Sequence, residues 1–236
     1  MSASELIWVA SFDIGKKNFA FYIEECNKKE LGNVECLPYS ERYHLDGTPT
    51  ETFTQIINQV CINGKMILFE NVDLTTGTNK DYYLDTAIFH NMTDVLNKYT
   101  MYWDKCDTFL IEKQMSFGKK HNTMALKLGQ HCWSYFELHY RRTKEIIEFP
   151  AYHKTQVLGA KKIEIKTKTG KIKYKAVEKT DRKKWSVEKA MDILKQRNDN
   201  HTISKLTSVK KRDDLADVLC QLQAFKILVY LGDNTS

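Results

Sequence analysis

The chain has 236 residues, of which 42% are hydrophobic and 28% charged, and its formal net charge at pH 7 is +6. This length suits one hydrophobic core, so we predict a single domain over residues 1–236. No apolar run approaches the roughly 20 residues of a membrane span, and six cysteines without a CxxC pair favour reduced thiols over a zinc site or a disulfide framework.

The first half of the chain predicts mainly strands. The segments LIWVASF, FAFYIEE and VECLPYSERYHL (34–45) are rich in β-branched and aromatic residues, which indicates an antiparallel meander. We then expect a helix near 50–61, a buried strand at MILFENV, a helix within 79–99 and the strand TFLIE.

The second half predicts mainly helices. These are a long helix at 121–142, the strand IIEF ended by Pro150, a short helix containing Val157 and Leu158, and two final helices at about 181–197 and 211–231. Consecutive strands followed by alternating strands and helices indicate an α/β fold, a mixed sheet with helices on both faces.

A basic segment interrupts the second half. Residues 161–184 contain eleven Lys or Arg and three acids, a local excess of +8, which leaves about −2 for the rest of the chain. Alternation around Thr169 and Gly170 predicts a β-hairpin insertion at about 161–180. Such a patch suits a polyanionic partner. A solvated surface hairpin without a partner is the alternative.

Four carboxylates have a pattern that indicates chemistry. Asp13 and Glu112 each end an apolar strand, and Asp214 and Asp217 form an i, i+3 pair on one helix. If these acids converge, the pocket requires cations, and hard oxygen ligands favour Mg²⁺ or Mn²⁺. Taken singly, each acid has an ordinary structural explanation, as a turn, cap or surface ion-pair residue.

Four motifs in order resemble a known family. SFDIGKKN, the glutamate of LIEKQ, ALKLGQ at 125–130 and DDLADVL are similar to the RuvC-type Holliday junction resolvases, with the poxvirus-type resolvases of large DNA viruses as the nearest group. The resemblance implies a ribonuclease H-like fold, with a five-stranded mixed sheet whose first three strands are antiparallel. It also implies a homodimer that cuts four-way DNA junctions during DNA recombination, repair or replication.

The resemblance also implies site residues. Asp13, Glu112, Asp214 and Asp217 match the family's acids and would hold two Mg²⁺ or Mn²⁺ ions for phosphodiester hydrolysis. Successive helix residues point about 100° apart, so Asp213 and Asp214 should not both bind one metal cluster. Asp213 suits a salt bridge or a helix cap better. Lys184 matches the family's catalytic lysine, with Lys183 as its competitor.

Further residues are expected to contact DNA. Met115 or Phe117 is a candidate wedge at the crossover, with core packing as the alternative. His121, near the start of a helix, is a candidate for helping the nucleophilic water, with an incidental role as the alternative. The remaining predicted contacts are basic or polar side chains: Lys16, Lys17, Asn18, Lys119, Lys120, Lys154, Lys171, Lys173 and Lys183. On the long helix, Trp133, Tyr135 and Tyr140 are candidates for either the dimer interface or the core.

Two other functions compete with a nuclease. The DIG motif also occurs in actin-like kinases, but this chain lacks their further glycine motifs. A non-catalytic protein that binds branched DNA through the basic hairpin is the stronger rival. The N-terminal residues lack the features of a signal peptide, so we expect an intracellular protein, and for a viral protein the site of viral DNA replication.

Overall fold

The structure is a computed structural model that describes residues 5–78, 85–114 and 122–231. The chain divides into two compact units. The sheet unit comprises Met1–Cys26 and Lys65–Ala151, and the helical unit comprises Asn27–Gly64 and Tyr152–Ser236. The prediction of a single domain stays a prediction. None of the helices in the described ranges is both long enough and apolar enough to cross a membrane.

Strands and helices alternate along most of the chain. The strands are β1 (Leu6–Asp13), β2 (Phe19–Asn27), β3 (Lys65–Val72), β4 (Thr108–Lys113), β5 (Glu145–Pro150), β6 (Ile163–Lys166) and β7 (Ile172–Lys175). The helices are α1 (Lys28–Gly32), α2 (Tyr39–Arg42), α3 (Glu51–Ile62), α4 (Thr86–Lys98), α5 (Thr100–Trp103), α6 (Thr123–Tyr140), α7 (Tyr152–Val157), α8 (Lys179–Gln196), α9 (Asn200–Ser208) and α10 (Arg212–Tyr230), with a 3₁₀ turn at Arg141–Thr143.

The sheet unit contains a five-stranded mixed sheet with the strand order β3-β2-β1-β4-β5. β1 pairs with β4 and β4 with β5 in parallel, whereas β2 pairs with β3 in antiparallel fashion. Residues 14–18 alone connect the neighbouring strands β1 and β2, too short a link for a parallel crossover, so these two also run antiparallel. The predicted fold class is therefore confirmed.

The third strand of the meander was predicted in the wrong place. Residues 34–45 do not form a strand; β3 is the MILFENV segment instead. Pro38 has no N–H to donate to a ladder and it begins α2. The side chain of Arg42 is buried and donates from Nε to the carbonyl oxygen of Leu37 at 2.7 Å, which holds this segment in a compact turn.

The core of the sheet unit is aromatic. Phe12 on β1 lies within 5.2–6.5 Å, between ring centroids, of aromatic rings from β2, β4, α5 and α6. Alternate strand residues that face the other way, such as Ser11, Tyr22 and Leu110, are buried as well.

Most predicted helices are present, and their caps explain where several begin. Thr50, Asp85 and Asn122 accept backbone hydrogen bonds at the starts of α3, α4 and α6. The residues 79–84 and 121, which the predicted helices also included, lie outside the described residues.

The helical unit is organised around α10. This helix packs against α3, α7, α8 and α9, and its central residues from Val218 to Ile227 are buried. The prediction omitted α9, because its sequence is polar and buries only Thr202 and Leu206. The basic hairpin is confirmed as β6 and β7, with Gly170 in the left-handed conformation (φ 77°) that its turn requires.

Candidate functional site

Asp13 and Glu112 lie side by side at one end of the sheet. The parallel register of β1 and β4 pairs Ser11 with Leu110 and Phe12 with Ile111, so the next residues of the two strands are Asp13 and Glu112. Neighbouring strands lie about 4.8 Å apart. Because Phe12 and Ile111 point into the core beside α6, the two acids point to the opposite face of the sheet.

The loop after Asp13 is tight and anchored. A Cβ atom on Gly15 would lie 2.9 Å from the carbonyl oxygen of Asn18, so the turn requires glycine. The carbonyl oxygen of Lys16 accepts a 2.8 Å hydrogen bond from the backbone N–H of Leu74, beyond the end of β3. This places the predicted DNA contacts Lys16, Lys17 and Asn18 next to Asp13, and Lys17 is exposed.

The segment after Glu112 is described only in part. Gln114 donates from Nε2 to the carbonyl oxygen of Glu112 at 3.3 Å. The predicted wedge residues Met115 and Phe117, and the basic residues Lys119, Lys120 and His121, lie outside the described residues, and their roles stay predictions.

In the helical unit, three acids occupy the first turns of α10. Asp213 forms a salt bridge with Lys183 of α8. Burial opposes ionisation of Asp213, but the hydrogen bond and charge of Lys183 outweigh it and lower its pKa. Burial alone would lower the pKa of Lys183, whereas its hydrogen bond to Asp213 and the charges of Asp213, Asp214 and Asp217 raise it. The salt-bridging role expected for Asp213 is therefore present.

Asp214 is in the opposite situation. Its Oδ2 atom is buried and has no hydrogen-bond partner among the residues that the structure describes. Burial, and secondly the charge of Asp213, raise its pKa. A carboxylate oxygen left without a partner in a low-dielectric position is unfavourable unless a proton or a cation satisfies it.

Asp217 pairs with a buried lysine. Nζ of Lys154, on α7, lies 3.3 Å from Oδ2 of Asp217. Lys154 was predicted to contact DNA from the surface, but only 5% of it is exposed, and this prediction needs correction. One feature of the sequence pointed away from a DNA contact, because Lys154 lies outside the basic hairpin. Its carboxylate partner lies about sixty positions away, a pairing that local patterns do not reveal.

Lys183 and Lys184 differ in their surroundings. Lys183 meets the acids of α10, whereas Lys184 is exposed and its Nζ lies 3.9 Å from Glu188 on the same helix. Successive helix residues point about 100° apart, which accounts for the difference. The geometry favours Lys183 over Lys184 as the lysine next to the carboxylates, although the catalytic role itself stays a prediction.

The donor set fits hard divalent cations. The predicted ligands offer carboxylate oxygens, and the unpartnered Oδ2 of Asp214 is the kind of atom that a cation would satisfy. Asp13 and Glu112 belong to the sheet unit, and Asp214 and Asp217 belong to the helical unit. Over residues 5–78, 85–114 and 122–231, no group of three or more His, Cys, Asp or Glu could hold a metal ion, so the four acids stay predicted ligands.

Comparison with known proteins identifies relatives in viruses. No protein-family model matches the chain. The uncharacterized protein 170L of Invertebrate iridescent virus 6 is 37% identical over 244 residues, which cover 95% of this chain and 90% of that protein. The uncharacterized protein 97L of Invertebrate iridescent virus 3 is 31% identical over 92% of this chain and 98% of its own length. The chain belongs to this iridescent virus protein family.

Two solved poxvirus structures are also similar to this chain. The fowlpox virus Holliday junction resolvase is 15% identical, with a TM-score of 0.48, over 93% of this chain and 98% of that one. The fowlpox virus resolvase in complex with substrate Holliday junction DNA is 17% identical, with a TM-score of 0.49, over 94% and 99% of the two chains.

Proposed function

We propose that this protein is a structure-selective endonuclease that cuts four-way DNA junctions. The observation that carries the proposal is the placement of Asp13 and Glu112 at the ends of adjacent parallel strands. A rigid sheet fixes two such acids relative to each other, which suits ligands that must hold charge in place during phosphodiester hydrolysis.

The proposed metal ligands are Asp13, Glu112, Asp214 and Asp217. Bound Mg²⁺ or Mn²⁺, two ions per site, would supply an activated water and neutralise charge on the phosphate. The unpartnered Oδ2 of Asp214 supports this assignment.

The two lysines next to α10 position the acids. Lys154 holds one oxygen of Asp217 and Lys183 holds Asp213, whereas Oδ2 of Asp214 has no hydrogen-bond partner among the described residues. The positive charges of these two lysines also reduce the mutual repulsion of the three acids within two turns of α10. We propose that this balance keeps the start of α10 folded before metal and DNA bind.

The proposed grip on DNA is electrostatic. Lys17 is exposed beside Asp13, Lys173 lies on the exposed strand β7, and Lys171 is exposed immediately before that strand. Exposed lysines that contact phosphates add affinity without regard to sequence. We further propose that the chain acts as a homodimer, since two related sites would cut two opposed strands of a junction.

A substrate panel tests the proposal. The protein is incubated with a four-way junction, a linear duplex and an RNA:DNA hybrid, each with Mg²⁺ or with EDTA. The expected result is cutting of the junction alone, at paired positions on opposed strands, and only with Mg²⁺.

Other outcomes have defined meanings. Cutting of the linear duplex at the same rate would replace junction selectivity with general nuclease activity. Binding of the junction without cutting under any condition would contradict the proposal and favour the non-catalytic DNA-binding protein.

A further inference from the structure

A cleft in the helical unit lies between α2, α7 and the base of the basic hairpin. It has a volume of about 450 Å³, within the roughly 300–1,000 Å³ typical of ligand sites. Its walls combine aromatic and basic side chains, and we name it the tyrosine cleft. The residues that define it here are Tyr39, Tyr43, Tyr152, Lys161, Lys162 and Arg182.

Two of the tyrosines present exposed rings. Tyr39 is 69% exposed and Tyr152 is 53% exposed, values that are high for aromatic side chains next to a cavity. Tyr43, in contrast, is held in place, because its hydroxyl donates to the carbonyl oxygen of Val157 at 2.8 Å and its ring packs on Phe53 at 5.1 Å between centroids. The cleft therefore has a fixed aromatic wall and two exposed rings at which a flat ligand could stack.

The cleft also carries positive charge. Lys161 and Lys162, just before β6, line it. The side chain of Lys162 lies directly over Gly47, because a Cβ atom on that glycine would lie 2.9 Å from Cε of the lysine. Asp46 offsets part of this charge, since its carboxylate lies 3.8 Å from Nζ of Lys161.

Arg182 adds an unsatisfied donor. It lines the cleft from the first turns of α8, and its buried Nε has no hydrogen-bond partner in the described part of the chain. A guanidinium N–H without an acceptor is costly. Phosphate oxygens are acceptors that match the arginine fork well.

The cleft continues into a second hollow. Ala160, Lys161 and Val177 line both, and the second hollow adds four residues of α8: Asp181, Lys184, Trp185 and Glu188. The second hollow thus adds an aromatic ring, but its two acids offset its two lysines, so the positive charge is concentrated in the tyrosine cleft itself. The exposed Lys184 therefore lines the second hollow, whereas its neighbour Lys183 contacts the acids of α10.

From this geometry we infer that the tyrosine cleft binds an unpaired nucleotide of a DNA strand, with the base against Tyr39 and Tyr152 and the phosphate at Arg182. The inference rests on the proposed function for the choice of DNA as the ligand. The inferred site would recognise unpaired DNA. It consists of aromatic and basic residues that differ from the four proposed metal ligands.

The test measures binding of labelled oligothymidylate, and of an abasic strand of equal length, by fluorescence anisotropy in EDTA at fixed salt. The unaltered protein is expected to bind oligothymidylate at least about fivefold more tightly, which is the lower end of the effect of one stacked base. A protein with both Tyr39→Ala and Tyr152→Ala should bind the two strands equally, whereas one with both Tyr39→Phe and Tyr152→Phe should keep the preference.

Arg182 is tested separately. Arg182→Ala should weaken binding of both strands, and Arg142→Ala, which removes the same charge from an exposed position in the sheet unit, should weaken neither. Equal binding of both strands by the unaltered protein, or an unchanged preference after both alanine substitutions, would overturn the inference. Junction cutting by the unaltered protein is measured separately, so the cleft inference can fail while the proposed function stands.

Discussion

At the scale of residues, the pairing of Asp13 with Glu112 is the firmest feature of the candidate site. Each ends an apolar run in the sequence, and parallel strands place their carboxyl ends at the same sheet edge, so sequence reasoning could anticipate their proximity. The roles of Lys154 and Lys183 could not be read in the same way. Which lysine meets which acid depends on how α7, α8 and α10 pack, and neighbouring lysines on a helix differ by about 100° in direction.

Substitution of Asp13 tests its proposed catalytic role. Asn keeps the shape of the side chain and removes its charge, so Asp13→Asn should lower the rate of junction cutting by more than about a hundredfold. Substitution of a residue that only hydrogen-bonds to a metal ligand typically lowers activity by about 10- to 100-fold. Junction binding in a gel shift should be retained. Glu145→Gln is the control, because it removes a carboxylate from the opposite end of the same sheet. Retained cutting by the Asp13 variant would refute the role.

The contrast between Lys183 and Lys184 gives a stability prediction. Lys183→Ala removes the partner of Asp213 and leaves the acids of α10 to repel one another, so it should lower the free energy of unfolding by about 1 to 2 kcal/mol. Lys184→Ala removes an exposed i, i+4 pair and should cost less than about 0.5 kcal/mol. Urea unfolding in EDTA measures both. Equal effects of the two substitutions would show that the salt bridge to Asp213 does not stabilise the helical unit.

At the scale of elements, the sequence predicted best where periodicity and length agreed. β1, β2, β4, α6 and α10 have apolar patterns that local rules recognise. The error at 34–45 arose because apolar and aromatic residues there serve a compact turn around Arg42, and the omission of α9 arose because that helix buries few side chains. In both cases tertiary packing decides the structure.

The basic hairpin carries an element-scale prediction. Its strands are almost wholly exposed, so Lys166→Gln, Lys171→Gln and Lys173→Gln together should leave thermal stability unchanged. Junction affinity should fall, and the slope of its logarithm against the logarithm of salt concentration should flatten by about 0.9 for each lost phosphate contact.

A matched triple variant controls for charge. Lys28→Gln, Lys65→Gln and Lys195→Gln remove the same charge from exposed positions outside the hairpin. If both triple variants lose the same affinity, net charge rather than the hairpin determines DNA binding.

At the scale of the whole molecule, α6 bears on the predicted dimer. Tyr135 is buried with its hydroxyl bonded to Asn97, and the ring of Tyr140 stacks on Phe109, so both belong to the core of the sheet unit. Leu138 on the same helix is 69% exposed and is the better interface candidate.

Analytical ultracentrifugation tests the predicted dimer. The account predicts a mass of twice 27.6 kDa for the protein, and Leu138→Asp should shift it toward the mass of one chain. A single-chain mass for the unaltered protein, with or without junction DNA, would contradict the homodimer.

The proposed ligand set, Asp13, Glu112, Asp214 and Asp217, is tested by calorimetric titration of the protein with Mn²⁺. The account predicts two Mn²⁺ ions bound per chain, with binding lost in Asp13→Asn of the sheet unit and equally in Asp214→Asn of the helical unit. Asp192→Asn, an exposed carboxylate on α8, should bind as the unaltered protein does. Absence of Mn²⁺ binding, or binding that survives either of the first two substitutions unchanged, would contradict the account.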